Sequence, residues 1–188
     1  MSRTPLAAVL ALGVAAGALV AAQAPQTLTV TSPALRAGEM IPAEYTADGR
    51  NISPPLQWSG APPGTKEFAV VCFDPDVPVP QGFVHWVLYK IPGAATGVPE
   101  DVPFDDSRPM PSAIAGAVQG TSGFRRPIYR GPAPPPGKPH HYHFAVYALD
   151  AVLDLRPGLT RAELMEAIDG HVVAQGELVA LYERKPGQ

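Results

Sequence analysis

Proline and glycine most restrict what this chain can fold into. Its 188 residues include 24 prolines and 18 glycines, and proline interrupts both helices and central strands. Long helices are therefore nearly excluded, and the chain must turn often. We predict short strands that are rich in Val, Phe, Tyr or Leu and bounded by Pro, Gly and Asp. The predicted strands are Thr27–Ser32, Ala43–Tyr45, Glu67–Phe73, Phe83–Ile91, His141–Leu149 and Glu177–Glu183.

One helix is predicted near the C-terminus. Thr160 and Glu163 form a T-x-x-E capping box, Leu164 and Ile168 lie one turn apart, and Gly170 is placed to end the helix. The pattern as a whole predicts a mainly antiparallel β fold with a peripheral helix.

The interval from Pro92 to Pro139 is too long for a simple connection in a compact domain. Such intervals are usually functional or disordered. This one contains the stretch GPAPPPGKP at 131–139, and repeated proline stiffens a loop.

The first 24 residues predict a signal peptide. Arg3 supplies a positive charge, Leu6–Ala22 is an unbroken apolar run, and Ala22-Gln23-Ala24 fits a small-x-small cleavage site. An uncleaved membrane anchor is the rival interpretation, but the run is short for a span and rich in Ala and Gly. We therefore expect an exported protein, periplasmic or secreted, in which residues 25–188 form a single domain.

Composition excludes some classes of function. The formal net charge of −3 offers no electrostatic reason to expect a nucleic-acid partner. The single cysteine, Cys72, excludes an internal disulfide, and its apolar neighbours predict a buried thiol that behaves as a small apolar side chain.

A histidine interrupts the apolar run FVHWVLYKIP at 83–92. If this run is a core strand, the imidazole of His85 needs a partner. The carboxylates of Asp74 and Asp76, in DPDVP just upstream, are the nearest candidates in sequence. In the plainer alternatives, His85 bonds a backbone carbonyl and Asp74 bonds its own backbone in a turn.

The stretch HHYH at 140–143 is the second concentration of polar groups. The two-residue period of a strand places His140 and Tyr142 on one face, and His141 and His143 on the other. Apolar residues follow on both faces, so the pattern does not decide which face is inside. His141 and His143 are most simply solvent-facing.

These stretches together resemble the phosphatidylethanolamine-binding protein family, in particular its bacterial, Raf-kinase-inhibitor-like branch. The matching pieces occur in the family's order and span most of residues 25–188. They are NISPPLQW (51–58), FDPDVP (73–78), FVHWVLYKIP (83–92), YRGPAPPPGKPHHYHFAVYALD (129–150) and DGHVVAQGELVALYER (169–184).

The resemblance implies a large antiparallel sheet, a smaller sheet and a helix near the C-terminus. It also implies a pocket that binds phosphate, a carboxylate or a phospholipid headgroup. Transferred by position, the expected ligand-binding residues are Asp74, Asp76, His85, Gly131, Pro132, His140 and Tyr142, with Asp76 supporting the loop as much as the ligand.

Two positions depart from the family pattern. Relatives usually have arginine where this chain has His141, and cysteine where it has Ala133. Histidine lacks the permanent charge and rigid fork of arginine, so a ligand-binding role of that arginine does not carry over.

A carboxylate in an anion site needs an explanation. We expect Asp74 to accept a hydrogen bond from an imidazole and to raise that histidine's pKa. Alternatively, Asp74 accepts a hydrogen bond from a headgroup ammonium or from a protonated phosphate oxygen.

The leading interpretation is non-enzymatic binding of a small anionic ligand, without a cofactor. The family name suggests an inhibitory or regulatory role. The protein target is not indicated, and a homodimer is compatible with the resemblance. One alternative is a metal-dependent hydrolase that uses Asp74, Asp76, His85 and His140, although no H-E-x-x-H motif or cysteine pair supports it. Another is a Ser/His/Asp hydrolase using Ser122, although no G-x-S-x-G motif is present.

Overall fold

The computed structural model describes residues 24–105 and 107–185. The strands in this part of the chain are β1 (Gln26–Thr27), β2 (Thr29–Thr31), β3 (Leu56–Ser59), β4 (Glu67–Asp74), β5 (Phe83–Pro92), β6 (Gly97–Val98), β7 (Val118–Gln119), β8 (His140–Leu149) and β9 (Val172–Tyr182), and the helix α1 spans Arg161–Ala167. Short 3₁₀ turns occupy Ala43–Tyr45 and Ser112–Ile114.

The strands form two sheets. The large sheet has the order β1-β9-β8-β4-β5-β7 and the small sheet has the order β2-β3-β6. Neighbouring strands are antiparallel except for β1 and β9, which are parallel. The predicted mainly β fold, with a large sheet, a smaller sheet and a helix near the C-terminus, is confirmed, and the one parallel pair makes the large sheet mixed.

The large sheet is buried on both faces. One face packs against the small sheet through a core that includes Trp58, Phe68, Trp86 and Phe144. The other face packs under α1 through a second core, in which Leu164 and other apolar side chains are buried. Strand β4 is therefore buried along nearly its whole length, as its unbroken apolar sequence predicts.

The capping box predicted for α1 is confirmed. The Thr160 Oγ1 accepts a hydrogen bond from Glu163 N at 3.3 Å, and Thr160 N donates to the Glu163 carboxylate at 2.8 Å. Leu164 and Ile168 point into the second core. Gly170 follows with a φ of 77°, a conformation that glycine adopts without steric strain.

Two predicted strands differ from the structure. Ala43–Tyr45 forms a 3₁₀ turn, because Pro42 starts it with a φ of −57° and its carbonyl accepts from Tyr45 N at 3.0 Å. Thr27–Ser32 divides at Leu28, whose N–H donates to Gln175 O at 2.8 Å. The part before Leu28 belongs to β1 in the large sheet, and the part after it forms β2 in the small sheet.

The C-terminal strand begins earlier than predicted, at Val172, and continues through Gly176. A Cβ atom at position 176 would lie 2.2 Å from Leu28 O. Gly176 interrupts the strand pattern in the sequence, but its missing side chain lets Leu28 pass close to β9. Strands β3, β6 and β7 were not predicted, since they are only two to four residues long.

No helix within the described ranges is long and apolar enough to cross a membrane. The predicted signal peptide at residues 1–24 lies, apart from Ala24, outside these ranges and stays a prediction.

Cys72 is completely buried in the centre of β4. Its neighbours on the adjacent strands are Trp86 and Phe144. Burial raises the pKa of its thiol well above the ordinary value, and the nearby negative charge of Asp74 adds to the effect. The thiol is thus a packing group, as predicted from its neighbours.

We therefore expect Cys72→Ala to lower the free energy of unfolding by about 1 kcal/mol, because it removes one buried heavy atom beside two aromatic rings. The native protein should react with a thiol reagent only as fast as it unfolds. Labelling in buffer and in denaturant, followed by mass spectrometry, measures this. Equal labelling rates in the two conditions would contradict a buried thiol.

Candidate functional site

A buried hydrogen bond joins the ends of two neighbouring strands. Asp74 ends β4 and His140 begins β8, and the His140 Nδ1 lies 2.7 Å from Asp74 Oδ2. The two residues are only 2 % and 7 % exposed. Asp74 Oδ1 also accepts a hydrogen bond from Asp76 N at 2.8 Å. Both oxygens of this carboxylate are thus engaged by the protein itself.

His85 has a different partner from the one expected. Its Nδ1 lies 2.6 Å from Arg130 O, and Arg130 N donates to His85 O at 3.0 Å. A carbonyl oxygen can only accept, so Nδ1 carries the hydrogen and Nε2 is the atom left for a ligand. The suggestion that Asp74 or Asp76 is the partner of His85 was wrong, and the plainer alternative of a backbone carbonyl was right.

Burial also reverses the expected pKa of His85. The side chain is 5 % exposed, and desolvation lowers its pKa below the ordinary value of 6.5. The Arg130 carbonyl and the charge of Asp74 oppose this shift, but they are smaller effects than burial. The expectation that a nearby carboxylate raises the pKa of this histidine therefore fails for His85.

Tyr142 is the third polar group at this end of the sheet. It is 1 % exposed, and its ring contacts the His85 ring edge-on with centroids 5.2 Å apart. Burial raises the pKa of its hydroxyl, and the charge of Asp74 raises it further. A side-chain hydrogen bond to Asp74 adds to the shift, so the hydroxyl stays protonated at any physiological pH.

Asp74, His85 and Tyr142 line a common cavity of about 370 Å³. We call it the His85 cavity. Its other lining residues are Val77, Phe83, Phe124, Arg130, Ala133, Pro134, Pro135 and Arg184. The structure thus brings together three of the seven sequence-predicted site residues, and it adds an aromatic wall and two arginines.

His140 and Asp76 do not line this cavity. His140 lies behind Asp74 and supports it. Asp76 is bound through Oδ2 to His141, with 2.7 Å to the backbone N and 2.8 Å to Nδ1. These hydrogen bonds lower the pKa of Asp76. Asp76 therefore anchors the loop that follows β4 to His141.

Gly131 and Pro132 also lie outside the lining of the His85 cavity. Gly131 N donates to Asn51 Oδ1 at 2.8 Å, and Pro132 O accepts from Ala47 N at 2.9 Å. A Cβ at position 131 would lie 2.2 Å from Tyr45 O. Gly131 and Pro132 therefore pack against residues 45–51, and the wall of the His85 cavity is formed by Arg130 and residues 133–135.

Phe124 and Arg130 belong to the site but were not identified from the sequence. The Arg130 guanidinium lies over the Phe124 ring, 4.8 Å from its centroid. Phe83 contacts Phe124 at 4.8 Å and His85 at 5.2 Å between centroids. Both missed residues lie in the long interval between β5 and β8, where no strand or helix period marks a functional position.

The hydrolase alternatives gain no support. Across residues 24–105 and 107–185, no three His, Cys, Asp or Glu side chains are grouped so that they could hold a metal ion. Ser122 is buried, and its hydroxyl donates to Arg126 O at 3.0 Å. This serine closes a loop, and no histidine lies within hydrogen-bond distance of it among the described residues.

The profile of the phosphatidylethanolamine-binding protein family matches residues 31–183 of the chain. The chain belongs to this family. A UPF0098 protein of Methanothermobacter thermautotrophicus is 46 % identical over 144 residues, which are 77 % of this chain and 91 % of that protein.

Two crystal structures of family members agree with the fold. YbcL of Escherichia coli, described as a member of the mammalian family, has a TM-score of 0.76 at 36 % identity and covers 84 % of this chain and 99 % of its own. The homologue CT736 of Chlamydia trachomatis has a TM-score of 0.73 at 34 % identity, with 85 % and 99 % covered.

The pairs His140–Asp74 and His141–Asp76 offer a matched test of the site's construction. Both join Nδ1 to a carboxylate at nearly the same distance, but the His141 side chain is 53 % exposed and that of His140 is 9 % exposed. His140→Ala leaves the buried carboxylate of Asp74 without its side-chain partner and should lower the free energy of unfolding by about 3 kcal/mol. His141→Ala should lower it by less than about 1 kcal/mol.

Urea unfolding of the two variants at neutral pH measures this difference. Equal losses would mean that the Asp74 carboxylate is reached by water, and that it does not depend on His140.

Proposed function

We propose that this protein binds a small anionic group, such as a phosphate, a carboxylate or a phospholipid headgroup, in the His85 cavity without transforming it. The observation that carries the proposal is the state of His85. Its Nδ1 is held by the Arg130 carbonyl, so Nε2 is the remaining atom of a buried imidazole on the cavity wall.

Charged donors line this cavity. They are Nε2–H of protonated His85 and the guanidinium of Arg130, and the Tyr142 hydroxyl lies beside them. Arg130 makes no ion pair with any residue in the described part of the chain, so its charge remains available. Hydrogen bonds from charged donors to an anion are roughly twice as strong as those between neutral groups.

The carboxylate of Asp74 does not prevent anion binding. His140 and the backbone N–H of Asp76 already donate hydrogen bonds to its two oxygens. The aromatic rings of Phe83 and Phe124 cover one side and displace water, so the donors act in a less polar medium than bulk solvent. A phosphate, a carboxylate and a lipid phosphodiester present the same acceptor oxygens to these groups.

His85→Asn tests the proposed donor without removing the bond to Arg130. The asparagine amide reaches the position of Nδ1 and can still donate to the Arg130 carbonyl, but it has no equivalent of Nε2. We expect affinity for inorganic phosphate to fall about tenfold or more, because a charged donor to the anion is lost. Titration calorimetry measures it.

His171→Asn is the matched control. His171 also bonds a carboxylate through Nδ1, at 2.9 Å from Asp150. It lies beyond the opposite end of the β8–β9 pair, about 30 Å away along the strands. This variant should bind phosphate as the parent does. Parental affinity in His85→Asn would reject the His85 cavity as the site. Titrating glycerophosphoethanolamine beside phosphate separates a headgroup ligand from a free anion.

Anion affinity should fall as pH rises. His85 must be protonated to donate from Nε2, and burial lowers its pKa in the unliganded protein, so binding takes up a proton at neutral pH. Asp74 and His140, the other titratable groups that act on His85, influence it in opposite directions. Above the lowered pKa, affinity should decrease by up to about tenfold per pH unit.

Sulfate is the suitable probe, because its charge does not change between acidic and neutral pH. Calorimetry in buffers of different ionisation enthalpy should show uptake of a proton by the parent, and little uptake by His85→Asn. An affinity for sulfate that is constant with pH would exclude His85 as the charged donor.

A further inference from the structure

A second cavity also has Arg130 in its lining. It has a volume of about 350 Å³, and Arg130 lines both this cavity and the His85 cavity. We call it the Arg126 cavity. The backbone of Arg130 is bonded to His85 in both directions, at 2.6 Å and 3.0 Å. The backbone of residue 130 is therefore held in place, and the two cavities have this residue in common.

Positive charge dominates the Arg126 cavity. Arg50, Arg126 and Arg130 line it, together with one carboxylate, Asp101. Asp101 is already bonded to Arg108 at 2.8 Å. Arg50 has only long contacts to exposed glutamates, at 3.5 Å and 3.8 Å. Within the described ranges, Arg126 and Arg130 make no ion pair at all.

Neutral donors complete the cavity. Asn51 Oδ1 accepts from Gly131 N, which leaves the amide NH₂ for another partner. Ser53 Oγ accepts from Val102 N at 2.9 Å, which leaves its hydroxyl hydrogen. Ser53 is 2 % exposed and Asn51 is held at a φ of 59°. These donors are held in place by the fold, and a ligand with several acceptor oxygens would accept hydrogen bonds from them.

The position of Arg126 is also built into the backbone. Its carbonyl accepts hydrogen bonds from Ser122 N at 2.9 Å, from Ser122 Oγ at 3.0 Å and from Ile128 N at 2.9 Å. Its Cα is thus held in place although the side chain is exposed. The neighbouring Arg125 is equally exposed but lines neither cavity.

We propose that the Arg126 cavity holds the second anionic group of a ligand that carries two phosphate or carboxylate groups. The first group occupies the His85 cavity, so this inference rests on the proposed function. Arg130 lies between the two anions and can interact with both. Clusters of arginine with fixed neutral donors are the usual chemistry for recognising phosphate.

Alkanediol bisphosphates of increasing chain length test the inference against inorganic phosphate. At the chain length that spans Arg130, the parent should bind the bisphosphate about tenfold more tightly than phosphate, since the second group adds charged hydrogen bonds. Arg126→Gln should abolish this gain and leave phosphate affinity within about twofold. Arg125→Gln removes the same charge one residue away and should keep both affinities.

Two results would overturn the inference. One is that no bisphosphate binds better than phosphate. The other is that Arg125→Gln removes the gain as fully as Arg126→Gln does, which would show a general charge effect. His85→Asn separates this failure from that of the proposed function. If His85→Asn weakens phosphate binding but no bisphosphate binds more tightly than phosphate, only the Arg126 cavity is rejected. If His85→Asn binds phosphate as the parent does, both proposals are rejected.

Discussion

The buried pair of Asp74 and His140 is the interaction on which the rest of the site depends. It ties the end of β4 to the start of β8 at 2.7 Å, in a place where both side chains are nearly inaccessible to water. Burying a carboxylate is expensive unless its oxygens accept hydrogen bonds. Asp76 N satisfies the second oxygen of Asp74 and thereby fixes the loop after β4. A single compensated carboxylate thus sets the position of the loop, the strand end and one wall of the cavity.

The second constraint is the reciprocal bond between His85 and Arg130. It joins β5 to the irregular segment before the proline run. It determines the tautomer of the imidazole and fixes the backbone of the residue that the two cavities share. The prolines that follow have fixed φ angles, so the wall at residues 133–135 is held with little loss of entropy on folding. A rigid wall costs less to organise around a ligand than a flexible loop does.

The histidines show why residue type alone is a poor guide to function. All five histidines of the chain use Nδ1 for a protein acceptor: a carbonyl for His85, and carboxylates for His140, His141, His143 and His171. What distinguishes His85 is that it is buried and also lines a cavity. His141 is exposed and holds Asp76 at the surface, so this histidine anchors a loop.

The sequence by itself determined the class of fold, the helix and the family. Proline and glycine excluded long helices, the Thr160–Glu163 capping box marked the start of α1, and the DPDVP and HHYH motifs located two strand ends of the site. It could not determine which face of β8 turns inward, because the large sheet is buried on both faces and the apolar pattern is the same on each.

Only the tertiary structure decided the pairings, because they join residues that are far apart in the chain. His140 and not His85 is the partner of Asp74, and Phe124 and Arg130 enter the site from a segment without any periodic pattern. Hydrogen bonds across 45 and 66 residues depend on how strands are ordered in the sheet. The local sequence contains the secondary-structure propensities and the spacing of apolar residues. Burial, which lowers the pKa of His85, arises only when the core is assembled.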